Sequence, residues 1–174
     1  MILSLIYYDH LCLRKKAQPI ESITEELRAL ANDMVESMIH YNGVGLAAPQ
    51  IGKLLRLIVI RDEFVGDNEE YRLGPPEILI NPVLSAPSQE AEKMAEGCLS
   101  IPGIHAEVMR PIRIRVRYQT LDNRFVEEEA VGFRARVIMH ENDHLNGVLF
   151  IDRISPDDRA KIDPVLKALK DKTK

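Results

Sequence analysis

Apolar residues recur at helical spacing in the first quarter of the chain. The apolar face that they form consists of Ile23, Leu27, Leu30, Met34 and Met38. This period is typical of an amphipathic helix. Ser22 followed by Glu25 has the form of a capping box and predicts the beginning of the helix. Asn42-Gly43 predicts its end, because a left-handed residue after a helix is least costly for glycine.

Shorter apolar runs predict strands in the middle of the chain. Residues 54–60 are almost continuously apolar and predict a buried strand. Residues 78–84 predict a weaker strand at a sheet edge, because Pro82 has no N–H to donate to a neighbouring strand. Residues 85–97 are mostly polar, and we predict a connection without regular structure there.

Two further strands and a tight turn are predicted in the second half of the chain. The strands cover residues 111–121 and 124–131 and flank Asp122-Asn123. Asparagine tolerates positive φ, so this pair predicts a hairpin turn. Arg113, Arg115 and Arg117 alternate with apolar residues in the first strand, which predicts one solvated face.

The C-terminal third of the chain is predicted to be helical. One helix covers about residues 133–146 and ends at Gly147, and another covers about 156–170, with Pro164 restarting or kinking it. Strands and helices do not alternate strictly, which indicates an α+β fold. We therefore predict antiparallel or mixed sheets around a central metal-binding helix, flanked by an N-terminal and a C-terminal helix.

Composition narrows the classes of protein that fit this pattern. The 174 residues suffice for one domain, residues 1–174, and the net charge of -4 argues against non-specific nucleic-acid binding; we expect no specific DNA binding. We see no signal peptide and no apolar run long enough to span a bilayer. With two cysteines only, these features predict a cytoplasmic protein; an organellar protein without its transit peptide has the same features.

The stretch M-H-E-N-D-H-L-N-G carries the strongest chemical signal. On a helix, His140 and His144 lie one turn apart on the same face and can direct their ring nitrogens to one metal ion. Glu141 beside them can handle a proton without binding the metal. Neutral imidazoles suit Zn, Fe, Co and Ni. The alternative is two core histidines with backbone partners, but the interposed glutamate favours a metal site.

A catalytic metal site usually has three protein ligands and one open position. Downstream of His144 the chain offers Asp152, scattered charges and no histidine. Cys98 lies upstream in a polar region, and a thiol near a divalent metal ion ionises and binds it. A small buried hydrophobe is the alternative interpretation of Cys98, and the one we adopt for Cys12. Spacing alone favours Cys98 without deciding the question.

Three segments in this order resemble the signature motifs of the peptide deformylases. They are G-V-G-L-A-A-P-Q at 43–50, E-G-C-L-S at 96–100 and H-E-N-D-H at 140–144, and the resemblance covers about residues 5–155. It implies an enzyme that removes the N-formyl group from the N-terminal methionine of nascent polypeptides and releases formate. It also implies one divalent metal ion per chain, Fe²⁺ in the cell, with Zn²⁺, Ni²⁺ or Co²⁺ as substitutes.

The resemblance also assigns roles to individual residues. It implies that Cys98, His140 and His144 bind the metal and that Glu141 is the general base and acid. Gln50 and the backbone N–H of Leu99 are implied to bind the oxygen that becomes negative. Gly45 is implied to line the formyl subsite, with Glu96 and Arg110 in supporting positions. Met139 and His105 depart from the residues that the family commonly has there.

The position of the substrate is predicted with alternatives open. The methionine side chain needs an apolar pocket, for which the candidates are Val44, Phe133 and Val137, with Met94. Core packing is the alternative role for these residues. The polypeptide beyond methionine is predicted to lie extended near Gly43–Leu46 and Gly97. Residues 157–174 either contact the ribosome transiently or form a solvated helix.

Two other functions compete with deformylation. If the chain were a general zinc peptidase built on the same helix, we would expect a downstream histidine or glutamate ligand and cleavage of unformylated peptides. A protein with a structural metal predicts a closed, cysteine-rich site without a spare acid. Glu141 has no purpose in a structural site, which argues against the second alternative.

Overall fold

The structure is a computed structural model that describes residues 1–172. Within this range three α-helices and seven β-strands follow one another along the chain. The helices are α1 (Glu25–His40), α2 (Phe133–Leu145) and α3 (Pro156–Lys172). The strands are β1 (Gly45–Ala47), β2 (Leu57–Val65), β3 (Tyr71–Ser85), β4 (Ala91–Cys98), β5 (Ile101–Pro111), β6 (Arg113–Gln119) and β7 (Phe125–Val131).

The strands form two antiparallel sheets. Five of them make one sheet in the order β1-β2-β3-β6-β7, and β4 and β5 make a separate two-stranded ribbon. The predicted α+β class with antiparallel sheets and flanking helices is confirmed. Among residues 1–172, no helix combines the length and the apolar character needed to cross a bilayer.

Helices cover both faces of β2. Ile58 and Ile60 pack in a cluster with α2 residues, whereas Leu57 and Val59 pack in a cluster with α1 residues. All four side chains are fully buried. Successive residues of a strand point to opposite faces, so a strand covered on both sides has a continuous apolar sequence. This explains the apolar run that predicted a buried strand.

The first helix begins two residues later than predicted from the Ser22–Glu25 pair. Thr24 is the N-cap, and its Oγ1 accepts a hydrogen bond from the Leu27 N–H at 3.2 Å. The capping-box prediction is therefore wrong, although threonine satisfies the same orphan donor. At the other end Asn42, not Gly43, takes the left-handed conformation, with φ of 57°.

The prediction of an edge strand at 78–84 is wrong. β3 is longer and pairs with β2 on one side and with β6 on the other. Pro82 is tolerated in this central strand because the register with β6 shifts between Ile80 and Val83. Asn81 precedes the proline with φ of 51°, which marks the same local irregularity.

The prediction of an unstructured connection at 85–97 is also wrong. This segment contains most of β4, which pairs with β5 in the ribbon. Five consecutive β4 residues are exposed, so the segment carries almost no apolar pattern. The ribbon is nevertheless anchored, because Ile101, Ile104 and Val108 of β5 pack with Leu166 of α3.

The remaining elements agree closely with the sequence pattern. Asn123 has φ of 64° in the turn between β6 and β7, as predicted. Arg115 and Arg117 on β6 lie opposite Glu129 and Glu127 on β7, so this arginine row is a solvated, charge-matched face. α3 continues through Pro164 and does not restart there.

Two arginines fix the first turns of α2 to both sheets. Arg134 binds Glu77 with two hydrogen bonds of 2.7 and 2.8 Å and Glu128 with one of 2.6 Å, both on the five-stranded sheet. Arg136 binds Glu96 of the ribbon at 2.7 Å. Since these side chains leave the helix on opposite sides, α2 is held between the sheet and the ribbon.

Candidate metal centre

Helix α2 brings two imidazoles and a carboxyl group into the protein interior. His140 and His144 lie one turn apart, with ring centroids separated by 5.3 Å. Both rings and the Glu141 side chain are buried. The helix spacing therefore places these three groups together, and the remaining question is what faces them from another element.

Cys98 faces the histidines from the end of β4. Its Sγ lies 3.3 Å from His144 Nε2. One donor atom from each of Cys98, His140 and His144 lies within 4.8 Å of the other two. A thiolate and two imidazoles at this separation suit a tetrahedral transition-metal ion such as zinc or iron and do not suit magnesium or calcium. The three residues thus fit the metal that the sequence motifs imply.

The orientation of the His140 ring is fixed from behind by Glu96. Glu96 Oε1 lies 2.8 Å from His140 Nδ1. Although burial by itself raises the pKa of Glu96, hydrogen bonds from His140 and Arg110 lower it to about 2. An ionised carboxylate only accepts hydrogen bonds, so Nδ1 carries a proton and Nε2 is the ring atom that would bind a metal.

The two histidines differ in their electrostatic surroundings. Burial opposes protonation of His140, but hydrogen bonds with Cys98 and Glu96 raise the pKa of His140 well above its ordinary value. Burial and the neighbouring charge of His140 lower the pKa of His144 well below its ordinary value. His144 Nδ1 is buried without a hydrogen-bond partner among residues 1–172.

Glu141 is buried tightly against Gly45 of β1. Burial raises the pKa of its carboxyl group to about 7, and Oε2 has no hydrogen-bond partner in the described part of the chain. Gly45 lies directly against this side chain. A Cβ at Gly45 would come within 2.7 Å of Glu141 Cγ and would overlap the carboxylate. A glycine at this position is what gives the carboxyl group its space.

Gln50 links the loop after β1 to the ribbon. Its Oε1 accepts a hydrogen bond of 2.9 Å from the Ala47 N–H, as the loop-capping alternative predicts. Its Nε2 donates to Ser100 Oγ at 3.1 Å and to Cys98 Sγ at 3.4 Å. Gln50 therefore caps its own loop and also places an amide N–H beside a candidate metal ligand.

A cleft of about 510 Å³ opens above these groups. Of the twelve residues predicted for the site, eleven line it: Gly43, Val44, Gly45, Gln50, Gly97, Cys98, Leu99, Phe133, Val137, His140 and Glu141. His144 lies behind this surface, next to Cys98. Met94 and His105 are also in the lining. The structure thus collects in one place residues that are far apart in the sequence.

Sequence reasoning missed three residues that support the site. Ser100 holds Gln50, Arg136 holds Glu96, and Asp143 binds Arg110 at 3.0 Å. Arg136 carried a usable signal, because it lies one helical turn before His140 on the same face. Ser100 is part of the E-G-C-L-S segment, but nothing in that segment indicates that its hydroxyl contacts Gln50.

A half-buried cysteine and two buried histidines next to a glutamate, at the base of an open cleft, define a metal-dependent hydrolase built on an H-E-x-x-H helix. Residues 2–160 match the family described as Polypeptide deformylase. The chain belongs to this family.

Curated relatives and solved structures agree with the family assignment. The chain is 47% identical to the peptide deformylase of Nitrobacter hamburgensis over 156 residues, which are 89% of this chain and 86% of that protein. It is 48% identical to the peptide deformylase of Thermotoga neapolitana over 144 residues, 83% of this chain and 82% of that one. The crystal structure of peptide deformylase from Thermotoga maritima matches with a TM-score of 0.80 and 44% identity and covers 90% of this chain and 99% of that chain.

The family assignment carries the activity with it. Members of this family remove the N-formyl group from newly synthesised polypeptides and depend on a metal ion. The prediction that this chain is a deformylase is confirmed. The two competing functions, a general zinc peptidase and a structural metal protein, are not supported by these relatives.

Proposed function

We propose that Cys98, His140 and His144 bind one divalent metal ion and that the deformylation of formyl-methionyl polypeptides takes place beside it. The observation that carries the proposal is the convergence of three donor atoms within 4.8 Å at the base of the cleft. Fe²⁺ is the proposed ion in the cell, with Zn²⁺, Ni²⁺ or Co²⁺ as substitutes, because a thiolate with two imidazoles suits these metals. Such an ion supplies Lewis acidity, which polarises a carbonyl and lowers the pKa of water.

Glu141 is the proposed general base and acid. Glu141 directly follows the proposed ligand His140 on α2. Burial against Gly45 limits the positions that its carboxyl group can take. From this position it takes a proton from the attacking water and delivers it to the departing nitrogen of methionine. Proton delivery matters because an amine is a poor leaving group until it is protonated.

Gln50 and the backbone N–H of Leu99 are the proposed donors to the formyl oxygen. Negative charge builds on this oxygen when the carbonyl carbon becomes tetrahedral, and donors fixed in advance stabilise it. Gln50 supports this role because Ala47 and Ser100 hold its amide from both ends. Leu99 supports it because it follows Cys98 directly and lines the cleft.

Lack of space next to Glu141 is the proposed basis of formyl specificity. A formyl group carries hydrogen where a longer acyl group carries carbon. Gly45 fits closely against Glu141, and a Cβ at Gly43 would lie 2.8 Å from Leu99 Cδ1. A subsite enclosed this tightly excludes larger acyl groups by overlap.

Apolar residues of the cleft are the proposed pocket for the methionine side chain. Val44, Phe133 and Val137 line the cleft together with Met94. Val137 is also part of the core cluster under α2, so it serves packing and pocket at once. The rest of the polypeptide is proposed to lie extended along Gly43–Leu46 and Gly97, because β1 is an edge strand of its sheet and can pair with an added strand.

The setting of the reaction completes the proposal. We place the enzyme in the cytoplasm of a bacterial-type cell or, as a processed protein, in an organelle, because formylated nascent chains are its substrates. Residues 1–174 are proposed to act as one catalytic domain. Transient ribosome contact through α3 is included because the last turn of this helix is basic, with Lys170 and Lys172.

Formate release from a formyl-methionyl tripeptide by anaerobically purified protein tests the proposal. Wild type with one bound metal ion per chain should release formate and leave the unformylated tripeptide intact. Glu141→Ala should retain the metal and lose roughly two to four orders of magnitude in kcat. Cys98→Ser should lose metal and activity together. Metal-loaded wild type that releases no formate would overturn the proposal.

A further inference from the structure

A chain of buried charged groups begins at His140 and runs through Glu96, Arg110 and Asp143. Glu96 Oε1 contacts His140 Nδ1 at 2.8 Å and also accepts a hydrogen bond of 2.9 Å from Arg110 Nη2. Arg110 Nη1 in turn donates to Asp143 Oδ2 at 3.0 Å. The side chains of Glu96, Arg110 and Asp143 are each less than a tenth exposed. Each position in this chain therefore depends on the next.

The outer end of this chain is Arg153, which precedes α3. Its Nε and Nη2 donate to Asp143 Oδ2 and Oδ1 at 2.6 and 2.8 Å, a two-pronged contact that fixes the plane of the carboxylate. The Arg153 side chain is 45% exposed, whereas that of Asp143 is 9% exposed. Arg153 thus joins the buried chain to the protein surface.

The segment that carries Arg153 also contacts the His140 ring directly. Phe150 begins a short 3-10 turn, Phe150–Asp152, that ends immediately before Arg153. The Phe150 ring stacks on the His140 ring with centroids 6.0 Å apart and an interplanar angle of 24°. One short segment therefore supports His140 through a stacked ring and through a series of ion pairs.

We infer that Arg153 is a positioning residue for the metal centre. It holds Asp143, which keeps Arg110 aligned on Glu96, which fixes the His140 ring. The inference rests on the proposed role of His140 as a metal ligand. Residues that orient a ligand from behind typically change metal affinity about 10- to 100-fold when they are altered.

The loss of Arg153 has a defined consequence in this arrangement. Asp143 Oδ1 would lose its partner while remaining buried, and the Asp143 carboxylate would draw Arg110 away from Glu96 to compensate. Glu96 would then hold the His140 ring less firmly. The expected result is weaker metal binding together with an altered ligand geometry.

Arg159 offers a matched control on the same side of the molecule. It lies in the first turns of α3, its side chain is 34% exposed, and it binds Asp163 at 2.8 Å. Its hydrogen bonds go to Asp163 and to the backbone of Ile151, and none goes to Asp143, Arg110 or Glu96. Arg159→Gln therefore removes a similar charge while leaving the links from Arg153 to Glu96 in place. Because Arg159 also contacts Ile151 and Asp152, it controls for any loosening of the Phe150–Asp152 turn.

The experiment measures Co²⁺ binding to metal-free Arg153→Gln, Arg159→Gln and wild type by competition with a chelator. The visible absorption spectrum of the Co²⁺ form reports the ligand geometry. We expect about a tenfold loss of Co²⁺ affinity and a shifted spectrum for Arg153→Gln, with Arg159→Gln like wild type. Arg153→Lys, which restores the charge without the two-pronged contact, should lie between wild type and Arg153→Gln.

Further variants separate this inference from the proposal on which it rests. His140→Ala should abolish tight Co²⁺ binding; if it does not, the proposed metal site itself fails. If His140→Ala abolishes binding and Arg153→Gln matches Arg159→Gln in affinity and spectrum, only the role of Arg153 is overturned. Thermal unfolding of the metal-free variants identifies general loss of stability. If Arg153→Gln has a lower melting temperature but the same Co²⁺ spectrum as wild type, the inference is also overturned.

Discussion

Gly45 and Glu141 are in such close contact that the Glu141 carboxyl group fits only because Gly45 has no side chain. A Cβ at Gly45 would lie 2.7 Å from Glu141 Cγ and would overlap a carboxylate oxygen. The resemblance places this glycine in the formyl subsite, where the backbone approaches the substrate closely. Here it has a second role, because it sets where the proposed general base can lie.

Gly45→Ala should displace the Glu141 carboxylate. We expect a fall in kcat of about 100-fold, since small misplacements at a reacting centre have effects of that size, and a loss of about 1–3 kcal/mol in the free energy of unfolding from overpacking. Steady-state kinetics and denaturant unfolding measure the two effects. In a Glu141→Ala background the same substitution should cost almost no stability. An equal cost in both backgrounds would show that the contact with Glu141 is not responsible.

Ser100→Ala should impair Gln50 without removing it. Ser100 Oγ accepts a hydrogen bond from Gln50 Nε2, so its loss leaves the amide less firmly placed. We expect kcat to fall about tenfold with KM unchanged, less than the roughly 100- to 1,000-fold loss expected for Gln50→Ala. Adding Ser100→Ala to Gln50→Ala should cause no further loss. Additive losses would mean that Ser100 acts independently of Gln50.

Phe133→Ala should enlarge the proposed methionine pocket. Phe133 lines the cleft and is only partly buried in the core. We expect kcat/KM for a formyl-methionyl peptide to fall roughly 10- to 200-fold, because lost apolar contact in a pocket has effects of this size. A formyl-glycyl peptide has no side chain to place there, and its kcat/KM should be nearly unchanged. Equal losses for both peptides would argue for a general defect in folding.

Asp152→Asn should destabilise the protein more at neutral pH than in acid. Burial opposes ionisation of Asp152, yet hydrogen bonds from Arg14 and the Leu149 N–H lower the pKa of its carboxyl group below the ordinary value of 3.8. A lowered pKa in the folded state contributes stability above the unfolded value, and this is lost as pH falls. We therefore expect the difference in free energy of unfolding between variant and wild type, measured with denaturant, to be smaller at about pH 3 than at pH 7.

Asp67→Asn is the control for this pH dependence. Asp67 lies in the exposed turn between β2 and β3. The unfolding free energy of this variant should follow that of wild type across the same pH range. A difference between Asp152→Asn and wild type that persists undiminished at pH 3 would contradict the proposed role of the Asp152 carboxylate.

Removal of the metal should abolish activity and lower the melting temperature without unfolding the chain. Ligands that bind only the folded state stabilise it by mass action, about 2.7 kcal/mol at a concentration 100 times Kd. Added Ni²⁺ or Co²⁺ should restore both properties to chelated wild type. Chelated Cys98→Ser should show a much smaller rise in melting temperature, and an equal rise would place the metal elsewhere.

The sequence predicted elements well where an apolar pattern extended over many residues. α1 has such a pattern, and its position is nearly correct. α2 was located by its histidine spacing and Gly147, and the hairpin of β6 and β7 by strand alternation and the Asp122-Asn123 turn. The β4–β5 ribbon was missed because most β4 side chains are exposed and leave no pattern. β3 was misplaced because proline in a central strand needs a register shift, which depends on a neighbouring strand that local sequence does not reveal.

The site shows the same division between local and distant information. The spacing of His140 and His144, with Glu141 between them, is a local property of one helix, and together these residues indicated a metal site. Cys98 was undecided from spacing, and the resemblance of the three motifs supplied the assignment. The link from Glu96 through Arg110 and Asp143 joins residues from three elements, and no short segment encodes it.

The covering of β2 by helices on both faces bears on how the sheet finds its alignment. In a strand with one apolar and one polar face, the difference between the faces fixes the register with the neighbouring strands, since a slip of one residue would expose the apolar face. Over Leu57–Ile60 both faces of β2 are apolar, so the burial of apolar side chains does not by itself prevent β2 from shifting by one residue against β3. The polar contacts of Asn81 can discriminate instead, because its side chain pairs with both backbone groups of Ile20 and its N–H binds the Arg56 carbonyl. The contacts of Asn81, directly ahead of Pro82, thus help to fix the alignment of the sheet beneath the helix that carries the proposed metal ligands.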